Sequence, residues 1–122
     1  MTQSEALEWA HGWIAKWNCS DVDGVLAHFA DDVAFTSPRA VAIMGKARLS
    51  GKQELTEYWN RGMAAIQSIH FQLDSVIVDG ARLGIIYIAE IDGKRLRAVE
   101  FLAFNDAGLV REGEAMHGVM LS

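Results

Sequence analysis

Apolar side chains recur every three or four residues through the first half of the chain, which is the spacing of one face of an α-helix. A first helix is predicted to begin at Thr2, which forms a capping box with Glu5. A second is predicted from Ser20 or Asp21, and a third from Ser50, which is predicted to form a capping box with Gln53. The apolar faces of the three helices are Ala6, Ala10, Trp13, Ile14 and Trp17, then Val22, Val25, Leu26 and Phe29, then Leu55, Tyr58, Trp59, Gly62, Met63 and Ile66.

From residue 70 onward the apolar positions alternate, which is typical of β-strands. The dipeptides at 79–80 and 92–93, both Asp-Gly, are hairpin signals, and "NDAG" at 105–108 marks a third turn. One earlier strand is predicted over "DDVAFTSP", residues 31–38, followed by an unusually apolar loop over 39–49. Three helices followed by a meander of antiparallel strands predict an α+β fold with helices on one face of the sheet.

The turns also predict which residues lie opposite each other. A two-residue loop at 92–93 pairs Ile91 with Lys94 and therefore Ile85 with Glu100. In the last hairpin, pairing residue 105 with residue 108 places Gly113 opposite Glu100 and Ala115 opposite Ala98. One sheet face then carries Leu83, Ile85, Tyr87, Ala89, Leu96, Ala98, Glu100, Leu102, Gly113, Ala115 and His117.

The opposite face of this sheet is also substantially apolar, although helices are expected to cover only one side. It carries Ile86, Ile88, Val99, Phe101 and Met116. Two explanations remain: a compact monomer whose loops wrap around the sheet, or a homodimer formed back to back through these residues. We favour the homodimer, so the predicted partner is a second copy of the chain.

Glu100 is the unusual residue of the helix-covered face, because its predicted neighbours are isoleucine and glycine. Burial there disfavours the charged carboxylate and raises the pKa of the group. Small residues at 89, 98, 113 and 115 leave room above the sheet, which predicts a pocket. The alternative is a structural carboxylate balanced by Arg111 or water.

Composition excludes several classes of function. With 122 residues the chain is long enough for a single domain, predicted over 1–122, and its 51% hydrophobic and 22% charged content is that of a globular protein. A net charge of −5 without a basic cluster argues against nucleic acid and against anionic membranes. A single cysteine, Cys19, and no apolar run long enough to span a bilayer predict a reduced, cytoplasmic location.

No cofactor or metal is predicted. Adjacent carboxylates at Asp31 and Asp32 rarely point together, and no histidine spacing supports a metal site. The segment "GKARLSG" lacks the strand–loop–helix setting of a phosphate-binding loop.

Three stretches together resemble a known family: "WIAKWNCSDVDGVLAHFADDVAFTSP", "GKARLSGKQELTEYW" and "AVEFLAFNDAGLVREGEAMHG". In this order and spacing they are similar to the nuclear transport factor 2-like superfamily, and within it to the SnoaL-like and ketosteroid-isomerase-like groups. The resemblance covers nearly the whole chain. It implies a cone-shaped, curved antiparallel sheet wrapped by three N-terminal helices, a cystatin-like fold, with a pocket at the open end and usually a dimer.

The same resemblance bears on chemistry. In ketosteroid isomerases the residue before this proline is the aspartate that moves the proton, and here it is Ser37. The family's oxyanion tyrosine falls at Trp13, whose indole N–H is a different donor. The protonated carboxylic acid of that site matches Glu100; that enzyme is itself the general example of such an acid. True steroid isomerisation is therefore not expected.

His117 is a second candidate for acid–base catalysis, although a packed or solvent-facing histidine fits the pattern slightly better. His70, Gln72 and Asp74 turn either inward or to solvent, depending on the width of the hairpin turn that follows at 79–80, and we expect exposure. The predicted pocket lining is Trp13, Trp17, Phe35, Ser37, Tyr58, Trp59, Met63, Tyr87, Ala98, Leu102, Gly113 and Ala115.

Two functions fit these residues. In the first, a SnoaL-like enzyme acts on a small, mostly apolar carbonyl or polyketide-like compound, with Glu100 or His117 transferring a proton. In the second, a non-catalytic homodimer binds an apolar ligand or only pairs its subunits. The missing aspartate at position 37 favours the second.

Overall fold

The computed structural model describes residues 1–121. Its sheet has six strands in the order β2-β1-β6-β5-β4-β3, and it is curved and unclosed. The elements are α1 Gln3–Asn18, α2 Val22–Leu26, β1 Phe29–Thr36, α3 Ala40–Met44, β2 Arg48–Ser50, α4 Lys52–Ala64, β3 Ile69–Asp79, β4 Arg82–Ile91, β5 Lys94–Phe104 and β6 Val110–Met120. The predicted α+β architecture is thus confirmed.

One strand pairing is not part of the predicted meander. β1 pairs in parallel with β6, while every other neighbouring pair in the sheet is antiparallel. The residues that pair lie nearly eighty positions apart, as Phe35 does from Gly113. No turn signal exists for such a pairing, and it places the end of β1 beside the middle of β6.

The helix starts agree with the sequence in two cases of three. The Thr2–Glu5 capping box is present, and Asp21 caps α2 by accepting a hydrogen bond from the Gly24 N–H. The predicted box at Ser50 is wrong, because Ser50 still belongs to β2 and the N-cap is Gly51, with φ of 89°. The Ser50 N–H instead donates to the Glu54 carboxylate at 2.7 Å.

Residues 39–49, predicted as a loop, contain the short helix α3 and the strand β2. Their apolar character has a structural reason, since Ile43 and Met44 pack against the hydrophobic core and Leu49 pairs with Phe35. An exposed loop would have left these side chains in water. The chain thus has four helices within the described residues, one more than predicted.

The hairpin registers test the turn arguments. The pairing of β4 with β5 is confirmed, with Ile85 opposite Glu100 and Ile91 opposite Lys94. The predicted pairing of β5 with β6 is wrong by two residues, because the structure places Ala115 opposite Glu100. The Asn105 side chain accepts hydrogen bonds from the N–H groups of residues 107 and 109, and this wider turn shifts the pairing by one residue. An irregularity between Ala103 and Phe104 adds the second residue of the shift.

A β-bulge at Asp74 decides the orientation of the first half of β3. Val76 pairs with Ile85, but before the bulge the register shifts by one and Leu73 pairs with Tyr87. Because of this extra residue, each side chain before the bulge lies on the opposite sheet face from the one that strict alternation would give it. Phe71 is therefore buried, and His70, Gln72 and Asp74 are exposed, as expected.

The core lies between the helices and the inner face of the sheet, where α1 lies against β3 and α4 against β1. Trp59 of α4 is at the centre of an aromatic cluster, with ring centroids 5.1 Å from Trp17, 5.2 Å from Phe29 and 5.5 Å from Phe35. Across residues 1–121, none of the helices has both the length and the apolar content that crossing a membrane requires.

Candidate active site

A cavity of about 100 Å³ lies between the inner sheet face and the helices. It is somewhat smaller than the roughly 150 Å³ apolar cavity that holds one benzene molecule. Most of its wall is apolar, and the polar groups are few. Of the predicted lining residues, those that border it are Trp13, Trp17, Phe35, Ser37, Tyr58, Trp59, Met63, Tyr87 and Ala115, together with Glu100 and His117.

Glu100 lies on β5 with its carboxyl group inside this cavity, and the residue is only 4% exposed. The Tyr87 hydroxyl, one strand away, donates a hydrogen bond to Glu100 Oε1 at 3.1 Å. Burial raises the pKa of Glu100 to about 8, and the Tyr87 hydrogen bond opposes this only in part. At neutral pH the group is therefore mainly a carboxylic acid, able to donate a hydrogen bond or a proton.

His117 lies on β6, on the same sheet face as Glu100. It is opposite Ala98, and Glu100 is opposite Ala115, so the two residues are diagonal neighbours about 7 Å apart at their backbones. His117 borders the cavity yet is exposed to solvent, which places it at the cavity mouth. Partial burial, and then the charge of Arg39, lower the pKa of His117, so its imidazole is neutral at pH 7.

Ser37, which occupies the position of the isomerase aspartate, is buried beside Tyr58. The Ser37 Oγ and the Tyr58 hydroxyl are 2.7 Å apart, and either can donate. Burial raises the pKa of Tyr58, and the hydrogen bond from Ser37 only partly offsets this. Neither hydroxyl is ionised near pH 7, so this pair can orient a ligand oxygen but supplies no base.

Trp13 and Trp17 contribute apolar walls from α1. The indole Nε1 atoms of both are buried without a hydrogen-bond partner among residues 1–121. Trp13 instead packs edge-on against Tyr87, with ring centroids 5.3 Å apart. The donor beside Glu100 is therefore the Tyr87 hydroxyl, not the indole at the family's tyrosine position.

Three predicted lining residues, Ala98, Leu102 and Gly113, do not border the cavity. Leu102 is fully buried in the core. Gly113 pairs with Leu102, and a Cβ at Gly113 would come within 2.8 Å of the Phe35 ring and 3.1 Å of the Leu102 side chain. This closed packing follows from the two-residue shift of β6, which moved Gly113 away from Glu100. Ala98 is buried between Tyr87 and His117 on the neighbouring strands and does not reach the cavity.

Several lining residues were not predicted. Arg39 and Ile43 come from the segment over 39–49 that the sequence predicts as a loop, although its apolar run "AVAIM" indicates that it packs. Phe71 faces inward only because of the bulge at Asp74, which has no sequence signal. The remaining members are Gly62, Ile66, Ile69, Ala89 and Ile91.

The donor set does not suit a metal. Within the described part of the chain, no group of three or more His, Cys, Asp or Glu side chains is placed to hold an ion. The cavity itself contains only Glu100 and His117 of these types.

Comparison with known proteins agrees with this architecture. A SnoaL-like protein of unknown function from Burkholderia thailandensis E264 is 29% identical, with a TM-score of 0.88 over 97% of this chain and 98% of that one. A nuclear transport factor 2-like protein of unknown function from Burkholderia pseudomallei K96243 is 20% identical, with a TM-score of 0.80 over 97% and 92%. TerC, co-crystallised with polyporic acid, is 18% identical, with a TM-score of 0.76 over 93% and 91%.

Among curated proteins, none matches this chain. The SnoaL-like domain family, in contrast, matches residues 10–112, which is most of the sequence. The chain belongs to the SnoaL-like family of the nuclear transport factor 2-like superfamily.

Proposed function

We propose that the protein catalyses proton transfer next to the carbonyl group of a small, mostly apolar compound. The observation that carries this proposal is the buried acid Glu100, with a pKa of about 8, in an apolar cavity whose mouth holds a neutral histidine. An acid whose pKa is moved toward neutrality and a neutral imidazole that can accept a proton are the two groups that such chemistry requires.

The proposed reaction uses both groups at once. The His117 imidazole takes the proton from the carbon next to the carbonyl group, and the C–H electron pair becomes the enol double bond. The carbonyl oxygen receives a hydrogen bond or the proton from Glu100, so the enolate charge does not build up in the apolar cavity. In a compound whose enol is conjugated with a C=C bond, His117 returns its proton at the far end of that bond while the proton on the oxygen goes back to Glu100, so the double bond moves without any co-reactant.

The other polar residues have supporting roles in this proposal. Tyr87 holds the Glu100 carboxyl through its 3.1 Å hydrogen bond, and Tyr58 and Trp13 position the substrate. A cavity of about 100 Å³ suits a compound with one ring better than a polycyclic polyketide. Ser37 has a hydroxyl group, hydrogen-bonded to Tyr58, where the ketosteroid isomerases have a carboxylate. The isomerase mechanism with a base at this position therefore does not apply.

A variant at Glu100 tests the mechanism. A thermal-shift screen of aromatic ketones first identifies compounds that bind, and exchange of the α-protons into D₂O, followed by ¹H NMR, then measures catalysis. We expect Glu100→Gln to lower kcat about 100-fold, because the amide keeps a donor but cannot give up a proton. The wild-type rate should also fall above pH 8, as Glu100 ionises.

The matched control is Glu114→Gln, an equal change at an exposed position of β6 that does not border the cavity. Its exchange rate should equal that of the wild type. Full activity in Glu100→Gln would remove Glu100 from the mechanism. Binding without any exchange in the wild type would favour the non-catalytic alternative.

We propose in addition that two copies pair back to back through the outer sheet face. The support is the exposure of its apolar residues, since Ile86, Ile88, Val99 and Phe101 are only half-buried and Met116 is 45% exposed. Among residues 1–121 no helix covers this face, and an apolar surface of this kind is typical of subunit contacts.

Val99 tests this pairing, because it lies between Ile86 and Met116 near the middle of the outer face. We expect Val99→Lys to convert a dimer to a monomer in sedimentation-velocity experiments, because a lysine there would be buried without a partner charge. Val41→Lys, at an exposed apolar residue on α3, should leave the dimer intact. A wild-type protein that sediments as a monomer would contradict the proposal.

A further inference from the structure

Arg39 differs from the other six arginines of the chain, all of which have a side-chain partner. Five of them lie within 4.0 Å of a carboxylate, as Arg97 does at 2.6 Å from Asp74. Arg82 lies over the Phe101 ring, 5.5 Å from its centroid. Within residues 1–121, the Arg39 side chain makes no ion pair, hydrogen bond or ring contact of this kind, although it is half-buried.

The location of Arg39 is set by the backbone at the end of β1. The Ser37 N–H donates to the Ala47 carbonyl at 3.0 Å, and the Ala40 N–H donates to the Ser37 carbonyl at 3.2 Å. This turn places Arg39 at the start of α3, where it borders the same cavity as Glu100 and His117. A guanidinium that is half-buried and unpaired is costly unless an anion joins it.

The nearby charges do not satisfy this guanidinium. Arg39 contributes to lowering the pKa values of His117 and Asp92, which shows that its charge reaches the cavity mouth. The Asp92 carboxylate makes no ion pair with Arg39 within 4.0 Å in the described part of the chain, and its Oδ1 accepts hydrogen bonds from the N–H groups of Gln67 and Ser68 at 2.8 and 2.9 Å. Glu100, with a pKa of about 8, is mainly neutral at pH 7.

We propose that the cavity is selective for carbonyl compounds that carry a carboxylate, and that Arg39 pairs with this carboxylate at the mouth. The inference rests on the proposed function and names its substrate class. The apolar body and the carbonyl group lie inside, against the aromatic walls and Glu100, and the anionic end stays near His117 and solvent. Arginine suits this role because its planar guanidinium binds carboxylates through two parallel hydrogen bonds.

Because the protein is negatively charged overall, binding of an anionic ligand requires a positive charge close to the cavity. At a net charge of −5, the chain repels an anionic ligand at long range. Among the residues that border the cavity, Arg39 carries the positive charge that offsets this repulsion at pH 7. Binding of the anionic ligand should therefore weaken with added salt, whereas binding of a neutral ligand should not.

Two probes of matched shape test the inference: 4-oxo-4-phenylbutanoate and butyrophenone, which has a methyl group in place of the carboxylate. Isothermal titration gives the Kd of each at pH 7, and α-proton exchange is followed on the same samples. We expect the wild type to bind the keto acid about tenfold more tightly than the ketone. Arg39→Met should bring the ratio of the two Kd values close to one, and Arg39→Lys should keep part of it.

The matched control is Arg48→Met, which changes the net charge equally at an exposed position away from the cavity and should keep the tenfold ratio. Equal binding of the two probes by the wild type, or an unchanged ratio in Arg39→Met, would overturn the inference. In either case α-proton exchange would still support the proposed function. Selective binding without exchange supports the inference and overturns catalysis, and failure of both probes to bind overturns both.

Discussion

Between pH 5 and pH 9 the wild-type protein should lose about 4 kcal/mol of unfolding free energy that the Glu100→Gln variant does not lose. The reason is the difference between the two states of Glu100, whose pKa is about 8 in the folded protein and near the ordinary 4.5 in the unfolded chain. Urea unfolding of both proteins at pH 5, 7 and 9 measures the effect.

The sign follows from proton binding. Between these two pKa values the folded protein holds a proton on Glu100 that the unfolded chain has released, so rising pH favours unfolding. The stabilisation is fully present below pH 4.5 and is lost as the pH rises through about 8. This direction is opposite to that of an ordinary ion-paired carboxylate, which stabilises the fold above its unfolded pKa.

Glu114→Gln is again the control, because Glu114 is exposed and its removal should leave the wild-type pH dependence unchanged. The difference between the two variants cancels the contributions of titrating groups that do not interact with Glu100. Tyr87 does interact with it, but burial raises the pKa of Tyr87 well above its ordinary value, so its hydroxyl stays protonated over this pH range. Parallel pH profiles for wild type and Glu100→Gln would show that Glu100 is hydrated in the folded protein. Both the proposed role of Glu100 as a protonated acid and the predicted pH-dependent loss of stability would then be wrong.

Local chemistry explains why parts of the fold are predictable from the sequence. The β4–β5 register is correct because Asp92 and Gly93 both adopt positive φ, at 52° and 81°, as this tight turn requires. The Thr2–Glu5 box and the helical stripes are likewise decided by residues within one turn of each other. The turn, the capping box and the apolar helix faces are each determined by residues that lie close together in the sequence.

The errors arise where distant parts of the chain decide the outcome. The Asn105 turn is widened by a side chain that accepts two backbone hydrogen bonds, a choice that the "NDAG" signal leaves open. The parallel pairing of β1 with β6 and the bulge at Asp74 depend on the whole sheet. A two-residue shift preserves the facing of side chains, which is why Glu100 and His117 still share the inner face.

The site was partly predictable for the same reason. Glu100 could be identified because it is a lone carboxylate among apolar residues on the inner face. A register shift by an even number of residues leaves each side chain on the same sheet face, so this prediction does not depend on the exact register. Arg39 could not, because its approach to the cavity depends on α3, which itself forms only when Ile43 and Met44 pack against the core. The sequence thus predicts the buried carboxyl group that borders the cavity but not the arginine that borders it.

Replacing Trp59 by alanine should lower the unfolding free energy by about 3 to 5 kcal/mol, a loss comparable to that expected at Glu100. The ring is 8% exposed and contacts Trp17, Phe29 and Phe35 edge-on, so its removal leaves a void that these rings cannot fill. Urea unfolding at pH 6 measures the loss.

Trp59 also borders the cavity, so the variant should contain an enlarged apolar space that fits an added indole. Binding to the folded state alone raises the melting temperature, and we expect millimolar indole to stabilise Trp59→Ala more than wild type. Trp9→Ala is the matched control, since Trp9 is half-buried against His28 and Phe104 and does not border the cavity. It should lose less stability and gain nothing from indole, whereas equal responses of the two variants would mean that Trp59 is not part of the cavity wall.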